Sequence, residues 1–455
     1  MKGMTLERIA AAVDGRLYIS DSLNKGNIEA TEVVIDSRKI TENAVFIATK
    51  GNTTDGHKFI GDVVKKGALC VICENKPDND DGNYIVVNDS FVALKMLAKY
   101  YKRQLSVRTI GIIGSVGKTS TKEMVSSVLS VKYRVKKTQG NYNNEVGVPL
   151  TVFSIRDEDE IAVIEMGISD FGEMHRLADI VRPDICVMTN IGPCHLEKLI
   201  DLEGVLKAKA EVIEHMPEDG VLILNGDDKK LREIEKTKTI IYYGMNAAND
   251  IYATDIVNMG LNGTQCTIHT NKGSMEVHIP LIGEHMVINA LSATAAGQLM
   301  NMNLSDIKTG LEEMVPTRGR ANVIKTPEIT IVDDCYNANP KSMKAAIDLL
   351  LSVEGRKVLI IGDMFELGIN EEELHKEIGE YICNKGIDVV ITAGDLSVHV
   401  YEEVKKDEVV DSYYCETTDK VIELLDKCII RKDDTVLVKA SHGMAFDRVV
   451  EALRD

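Results

Sequence analysis

The chain is predicted to be an α/β protein of three domains. These are a small N-terminal α/β domain (1–106), a central P-loop ATPase-like domain with a flanking antiparallel sheet (107–317), and a C-terminal Rossmann-like, doubly wound domain (318–455). Three observations carry that reading. A length of 455 residues suits about three domains. From Arg320 onward, short apolar runs alternate with helical stretches, the rhythm of a parallel sheet. Between Thr109 and Thr121 an apolar run passes through a glycine-rich turn into a helical pattern, which is strand, loop, helix.

Composition sets the outer bounds. A hydrophobic fraction of 44% is ample for packed cores, and a net charge of −18 disfavours nucleic acid or an anionic membrane as partner. No apolar run approaches the length of a membrane span, and the first residues do not read as a signal peptide, so a cytoplasmic protein is expected. The nine cysteines are scattered and odd in number, which argues against a disulfide framework. Cys70 and Cys73 form a Cys-x-x-Cys, but inside an apolar strand run without a second ligand pair nearby.

In the first hundred residues, Leu6, Ile9, Ala10 and Val13 make one helical face, and strands are expected at 33–35, 44–48, 69–73 and 85–87. Two polar clusters punctuate this unit, Asp36-Ser37-Arg38 after a strand and Asp55-Gly56-His57 in a loop. By themselves they read as ordinary strand-end residues. The polar, basic stretch Tyr100–Arg108 is the expected linker.

The central domain opens on the glycine-rich turn. Gly114 and Gly117 allow backbone N–H groups to face an anion at a helix N-terminus. Lys118 adds a point charge for a terminal phosphate, and the Thr119 hydroxyl is a candidate Mg²⁺ ligand. The arrangement suits a nucleoside triphosphate. The loop is a shortened form, because the strict pattern wants glycine where Ile112 stands. Asn141–Pro149 follows as an amide-crowded loop. The strand 161–165 ends in Glu165, and the strand 185–189 leads to Asn190–His195. Strand carboxyl ends are where ligands gather in open α/β sheets, so Glu165, His195 and Thr119 together suggest a metal bound to phosphates. Lys209 alone reads as a solvated charge on a helix near 205–215. The stretch 251–279 alternates polar and apolar residues around Asn262-Gly263 and Asn271–Gly273, as antiparallel hairpins do, and a helix follows from about Gly283 to Met300.

The last domain carries expected strands at 329–332, 358–361, 389–391 and 436–438, with a helix at 371–382. No Gly-x-Gly-x-x-Gly follows a strand here, so a dinucleotide site has little support. Polar residues cluster at three strand ends: Asp333–Pro340, Gly362–Gly368 and Lys439–His442. Three clusters on one edge indicate a second half of an active site.

These segments together resemble the Mur ligases, ATP-dependent amide-forming enzymes of bacterial cell-wall precursor synthesis, and the resemblance covers all three domains. Gly114, Ser115, Val116, Gly117, Lys118, Thr119 and Ser120 look like the family's short P-loop. Asn289 resembles its adenine-reading asparagine, and Arg320 and Asp334 resemble nucleotide contacts from the last domain. The resemblance implies two Mg²⁺ ions, one on Thr119 and Glu165 and the other on His195 and a carbamylated Lys209; Lys118, His195 and Lys209 become the implied catalytic residues. Ser37, Arg38, Asp55, Gly56 and His57 resemble UDP-sugar-binding segments, and Asn143, Tyr336, Asn337, Asn339, Lys439 and Ser441 are implied substrate contacts. Where the family often ends that last motif in arginine, this chain has His442.

Within the family, the Asp334–Pro340 and Gly362–Gly368 segments look like those of the dipeptide-adding member. The implied reaction joins UDP-N-acetylmuramoyl-tripeptide to D-alanyl-D-alanine through an acyl phosphate, with ATP as the phosphoryl donor. The implied protein is a cytoplasmic monomer whose domains close about a hinge near Met314–Gly319. Rival readings are a related amino-acid-adding ligase, of the tripeptide-forming or folylpolyglutamate synthetase kind, a P-loop kinase or GTPase, and a non-catalytic nucleotide-binding scaffold. The Tyr336–Pro340 segment argues against the first, and the absence of an Asn-Lys-x-Asp motif disfavours a GTPase.

Overall fold

A computed structural model describes the chain except for residues 21–27, 52–53, 79–81, 317, 426–428 and 455. Residue 317, the last of the predicted central domain and part of the expected hinge, therefore lies outside the described residues. The chain divides into two compact units. One comprises Met1–Thr254, Ile268–Met275 and Ile288–Leu311, and the other Asp255–Thr267, Glu276–Val287 and Glu312–Asp455.

Five short strands open the first unit: β1 (Arg16–Tyr18), β2 (Val33–Val34), β3 (Val45–Ile47), β4 (Cys70–Cys73) and β5 (Tyr84–Val86). Their order is β1-β5-β4-β3-β2, parallel except for β1 against β5. Side chains alternate across a strand, so Cys70 faces one core and Cys73 the opposite one. The two thiols cannot meet, and burial pushes Cys73 up to about 11.

The connection between the two regions is shorter than the expected linker Tyr100–Arg108. The helix Ser90–Lys102, capped by the Asp89 side chain, runs through Tyr100–Lys102. Tyr101 is buried, donates its hydroxyl to Ile155 O at 2.7 Å and meets the Phe153 ring. Lys95 pairs with Glu145 and Lys99 with Asp179, and one apolar core continues from Met4 to Ile234. The N-terminal sheet and the P-loop sheet thus share a core across the predicted boundary at residue 106. The apolar periodicity of Leu94, Leu97 and Tyr101, which predicts a helix here, carries it into the first residues of the expected linker.

The second sheet contains β6 (Arg108–Ile113), β7 (Val135–Lys137), β8 (Ile161–Glu165), β9 (Ile185–Met188), β10 (Val221–Asn225), β11 (Thr239–Gly244), β12 (Ile251–Asn258), β13 (Thr264–Thr270) and β14 (Gly273–Ile279), in the order β14-β13-β12-β11-β10-β9-β6-β8-β7. From β7 to β11 every pair is parallel. β6 is central and buried on both faces, which its run of isoleucines anticipates. The expected flanking strands β12–β14 lie at one end of this sheet's order.

In the second unit β15 (Asn322–Lys325), β16 (Thr330–Asp333), β17 (Lys357–Gly362), β18 (Val389–Ala393), β19 (Asp411–Cys415) and β20 (Thr435–Lys439) run in the order β15-β16-β20-β17-β18-β19. All pairs are parallel except β15 with β16, and an apolar core lies on each face. The doubly wound prediction is met. Among the described residues no helix is long and apolar enough to cross a membrane.

Candidate active site

The glycine-rich turn joins β6 to the helix Lys118–Ser130. Gly114 has φ +142°, and a Cβ there would lie 2.0 Å from Thr189 Oγ1, so glycine is required. Gly117 caps the helix in the left-handed region at φ +83°. The turn is stapled to the segment after β9. Val116 N donates to Asn190 Oδ1 (3.0 Å), Thr189 Oγ1 donates to Val116 O (2.6 Å), and Ser115 Oγ donates to Gly192 O (3.0 Å). Val116 itself is exposed, whereas Ser120 is buried. The Lys118 ammonium donates to Gly114 O and Ser115 O at 3.0 and 3.1 Å, so it is folded over the loop.

Glu165, at the carboxyl end of β8, is 1% exposed. Thr119 Oγ1 and Asn143 Nδ2 donate to its Oε1 at 3.2 and 2.7 Å, and its own N–H donates to Thr138 Oγ1. Its other oxygen, Oε2, is buried with no hydrogen-bond partner among the described residues; the Lys122 ammonium stands 3.8 Å away. An orphaned carboxylate oxygen costs on the order of 1–3 kcal/mol, a cost that a bound hard cation removes. The oxygen set of Thr119 and Glu165 fits Mg²⁺. Asn143, expected to contact substrate, donates to this carboxylate and also lines the neighbouring cavity.

A cavity of about 460 Å³ opens beside these groups, lined among others by Lys118, Asn143, Gly167, Ser169, Glu173 and His195. His195 sits in the left-handed region at φ +51°, starting the short helix Leu196–Leu199, a strained setting of the kind found at functional sites. Lys209 is the sharpest departure from its reading as a solvated charge. It is 3% exposed on the helix Leu202–Ala210, and burial pushes it down to about 8, with Lys118 lowering it further and Cys194 opposing. Among the described residues its ammonium has no hydrogen-bond or carboxylate partner. Asn289, on the helix His285–Leu299, accepts from Thr121 Oγ1 at 3.1 Å and lies beside Gly117.

In the second unit the predicted residues converge. The Arg320 guanidinium stacks 4.0 Å over the Tyr336 ring, whose centroid is 5.6 Å from that of His442. Lys439, buried at the end of β20, donates to Asp334 Oδ2 (2.6 Å) and Asn337 O (3.0 Å). Ala321 N donates to Asp334 Oδ1. Asn339 is a helix N-cap in a capping box with Ser342, and Ser441 Oγ accepts from Phe365 N.

The N-terminal clusters close on themselves. Asp36 accepts from Arg38 N, Nε and Nη2, and those bonds hold its carboxyl at about 2. Arg38 is otherwise exposed, and Ser37 O accepts from Lys66. Asp55 caps the turn Gly56–Phe59 and accepts from His57 N and Nδ1, while His57 Nε2 accepts from Glu74 N. Both ring nitrogens are therefore engaged within the fold. A Cβ on Gly56 would stand 3.0 Å from Thr49 O. Lys122 and Thr138 escaped sequence reading. Lys122 lies three residues after Thr119 on one helix, a spacing that could have found it; nothing in the sequence marks Thr138.

Comparison with known proteins fits this geometry. Three family models match: Mur ligase family, catalytic domain (29–105), Mur ligase middle domain (112–297) and Mur ligase, glutamate ligase domain (319–442). The chain belongs to the Mur ligase family. It is 40% identical over 430 residues, 92% of each chain, to UDP-N-acetylmuramoyl-tripeptide–D-alanyl-D-alanine ligase of Bacillus subtilis. A crystal structure of MurF from Acinetobacter baumannii matches with a TM-score of 0.90 at 30% identity, covering 99% of this chain and 98% of that one. MurF from Thermotoga maritima in complex with ADP matches with a TM-score of 0.79 at 30% identity, over 93% and 97%.

Proposed function

We propose that this chain is an ATP-dependent ligase that adds D-alanyl-D-alanine to UDP-N-acetylmuramoyl-tripeptide in peptidoglycan precursor synthesis. The observation that carries the reading is the buried Glu165 carboxylate, with one oxygen unsatisfied, beside a rigid glycine turn bearing Lys118. Full-length similarity to the Bacillus subtilis ligase supports the acceptor and the donor.

A carboxylate is a poor acyl donor, so the γ-phosphoryl group of ATP is transferred to the tripeptide's terminal carboxylate. The dipeptide amine then attacks the acyl phosphate, and phosphate leaves. Two anions must approach one another in the first step. Lys118 swings from the loop carbonyls to the phosphates and offsets part of that repulsion. Mg²⁺, when bound, neutralises phosphate charge and orients the triphosphate; Thr119 and Glu165 would hold one ion, and His195 with Lys209 the other. Lys209 fits carbamylation because the reaction with CO₂ needs a neutral amine, and burial makes that form accessible near pH 8. The new carboxylate replaces an amine that has no counter-ion. Asn143 and Lys122 keep Glu165 in place.

The remaining assignments follow the same reading. The N-terminal region (1–106) binds the UDP-sugar through Ser37, Arg38 and Asp55–His57. The middle (107–317) binds ATP, with Asn289 at the base. The last region (318–455) presents the dipeptide with Tyr336, Asn337, Asn339, Lys439 and Ser441, and Arg320 and Asp334 touch the nucleotide. The enzyme acts as a cytoplasmic monomer, and closure about 314–319 shields the acyl phosphate from water. Small-angle scattering should register compaction with an ATP analogue plus the UDP-substrate.

The decisive experiment is phosphate release from ATP with UDP-N-acetylmuramoyl-tripeptide, comparing D-alanyl-D-alanine with single amino acids. Release that depends on the dipeptide, with a pentapeptide product by mass, is the expected result. Release only with a single amino acid and a shorter UDP-substrate would reassign the step within the family.

A further inference from the structure

On the first unit lies a cluster that the ligase reaction does not use. His175 sits in the first turns of the helix Glu173–Val181, and His215 and Glu214 end the short turn Glu211–His215. His215 Nε2 and His175 Nδ1 face each other at 3.1 Å, with the rings edge to face at 77°. Glu214 Oε2 stands 3.5 Å from the same His175 nitrogen, and one donor atom from each of the three residues lies within 4.8 Å of the others. Zinc–nitrogen bonds of about 2.0–2.1 Å put two nitrogens of a tetrahedral site roughly 3.3 Å apart, so the observed spacing needs little change.

The surroundings also fit a metal site. The free nitrogen of His215, Nδ1, points to Asp179 Oδ1 at 3.9 Å, and Asp179 is itself fixed by Lys99. A carboxylate behind a ligating imidazole orients the ring and raises its basicity. His215 is mostly buried, while His175 and Glu214 are exposed, leaving an accessible fourth position. Burial, and then His175, push His215 below the ordinary histidine range, which favours the neutral ligand form.

We propose that His175, Glu214 and His215 form a binding site for a divalent transition metal of the Zn²⁺ class, separate from the Mg²⁺-nucleotide site. Imidazole nitrogens select Zn²⁺, Ni²⁺ or Cu²⁺ over Mg²⁺, which prefers oxygen. The site joins the Glu173 helix to the Glu211 turn. Glu211, in the same turn, already accepts from Gly172 N and His175 N at 3.0 Å each. The Glu173 helix leads to the cavity wall, and the Glu211 turn directly follows the helix that carries Lys209.

The test is Zn²⁺ titration of the full-length protein by calorimetry in excess Mg²⁺, repeated with His175→Gln and His215→Ala. One Zn²⁺ per chain is expected, with affinity lowered at least tenfold in either variant and a Zn²⁺-dependent rise in melting temperature only in the wild type. Both variants should keep the wild-type circular dichroism and Mg²⁺-dependent turnover. The Co²⁺-loaded protein should show visible ligand-field bands without a thiolate charge-transfer band, which separates this site from Cys194. No Zn²⁺ binding, binding unchanged in both variants, or a thiolate band would overturn the proposal.

Discussion

Glu165 and Asp334 are carboxylates just beyond or at the carboxyl ends of parallel strands, in different units, and they are satisfied in opposite ways. Asp334 has both oxygens taken, one by the Lys439 ammonium and one by Ala321 N. Glu165 is more deeply buried, yet one oxygen has no hydrogen bond among the described residues. The first arrangement is complete without a ligand and rigidifies its loop. The second retains an electrostatic deficit that a cation can fill. Unsatisfied burial, more than polarity, marks the carboxylate that calls for a cation.

Lys118 and Lys439 extend the contrast and give the largest expected effect. Lys118→Ala should lower kcat about 10²–10³-fold, roughly 3–4 kcal/mol of transition-state stabilisation, with the melting temperature little changed. Lys439→Ala should instead show first as lost stability, because it leaves Asp334 without its cation. Phosphate-release kinetics beside thermal melting separates the two. Near-normal turnover of Lys118→Ala would break the contrast.

The carboxylates themselves should follow the same division. Asp334→Asn leaves the Lys439 ammonium, 3% exposed, without its counter-charge and should cost about 3 kcal/mol by chemical denaturation. Glu165→Gln should stay within about 1 kcal/mol of wild type, since it removes an under-satisfied charge and Lys122 keeps its pair with Glu123. Its defect should appear as a weakened Mg²⁺ requirement curve. Equal stability losses in the two variants would mean that Glu165 is as internally satisfied as Asp334.

The legibility of these sites in the sequence follows the same physics. The P-loop was readable because Gly114 and Gly117 serve backbone geometry, which residue type alone dictates. Strands such as β17 and β18 were readable from unbroken apolar runs, whereas β1, β15 and β19, mostly half-exposed edge strands, carry too weak a pattern. Lys209 follows Val205 by four residues and so shares the face that buries Val205 and Ala208. Its burial was in the pattern, but a lysine there reads as solvated until tertiary packing is known. The closure of Asp55 on His57 is a local turn, whereas that of His57 on Glu74 depends on segments brought together only in the fold.

Lys209 supplies a smaller, pH-dependent test. Carbamate formation needs the neutral amine, and burial lowers this lysine to about 8. Below that pH the reactive fraction should rise about tenfold per unit, then level off above it, whereas an ordinary lysine keeps rising toward about 10.4. Labelling with ¹³C-bicarbonate, read by NMR and absent in Lys209→Gln, would show the curve. A rise continuing past pH 9 would make Lys209 a solvated amine after all.

Arg38 should give the smallest effect and the finest test. Its side chain is 87% exposed and, among the described residues, is paired with Asp36 alone, so an Arg38→Ala protein should melt like wild type. Asp36 would still cap the Ser37–Lys39 turn through Arg38's backbone N–H, which the substitution keeps. If Arg38 turns outward to the UDP-substrate, the variant raises KM for that substrate and leaves kcat unchanged, the signature of lost uniform binding. An unchanged KM would leave the Asp36–Arg38 turn as a polar pair that acts within the fold alone.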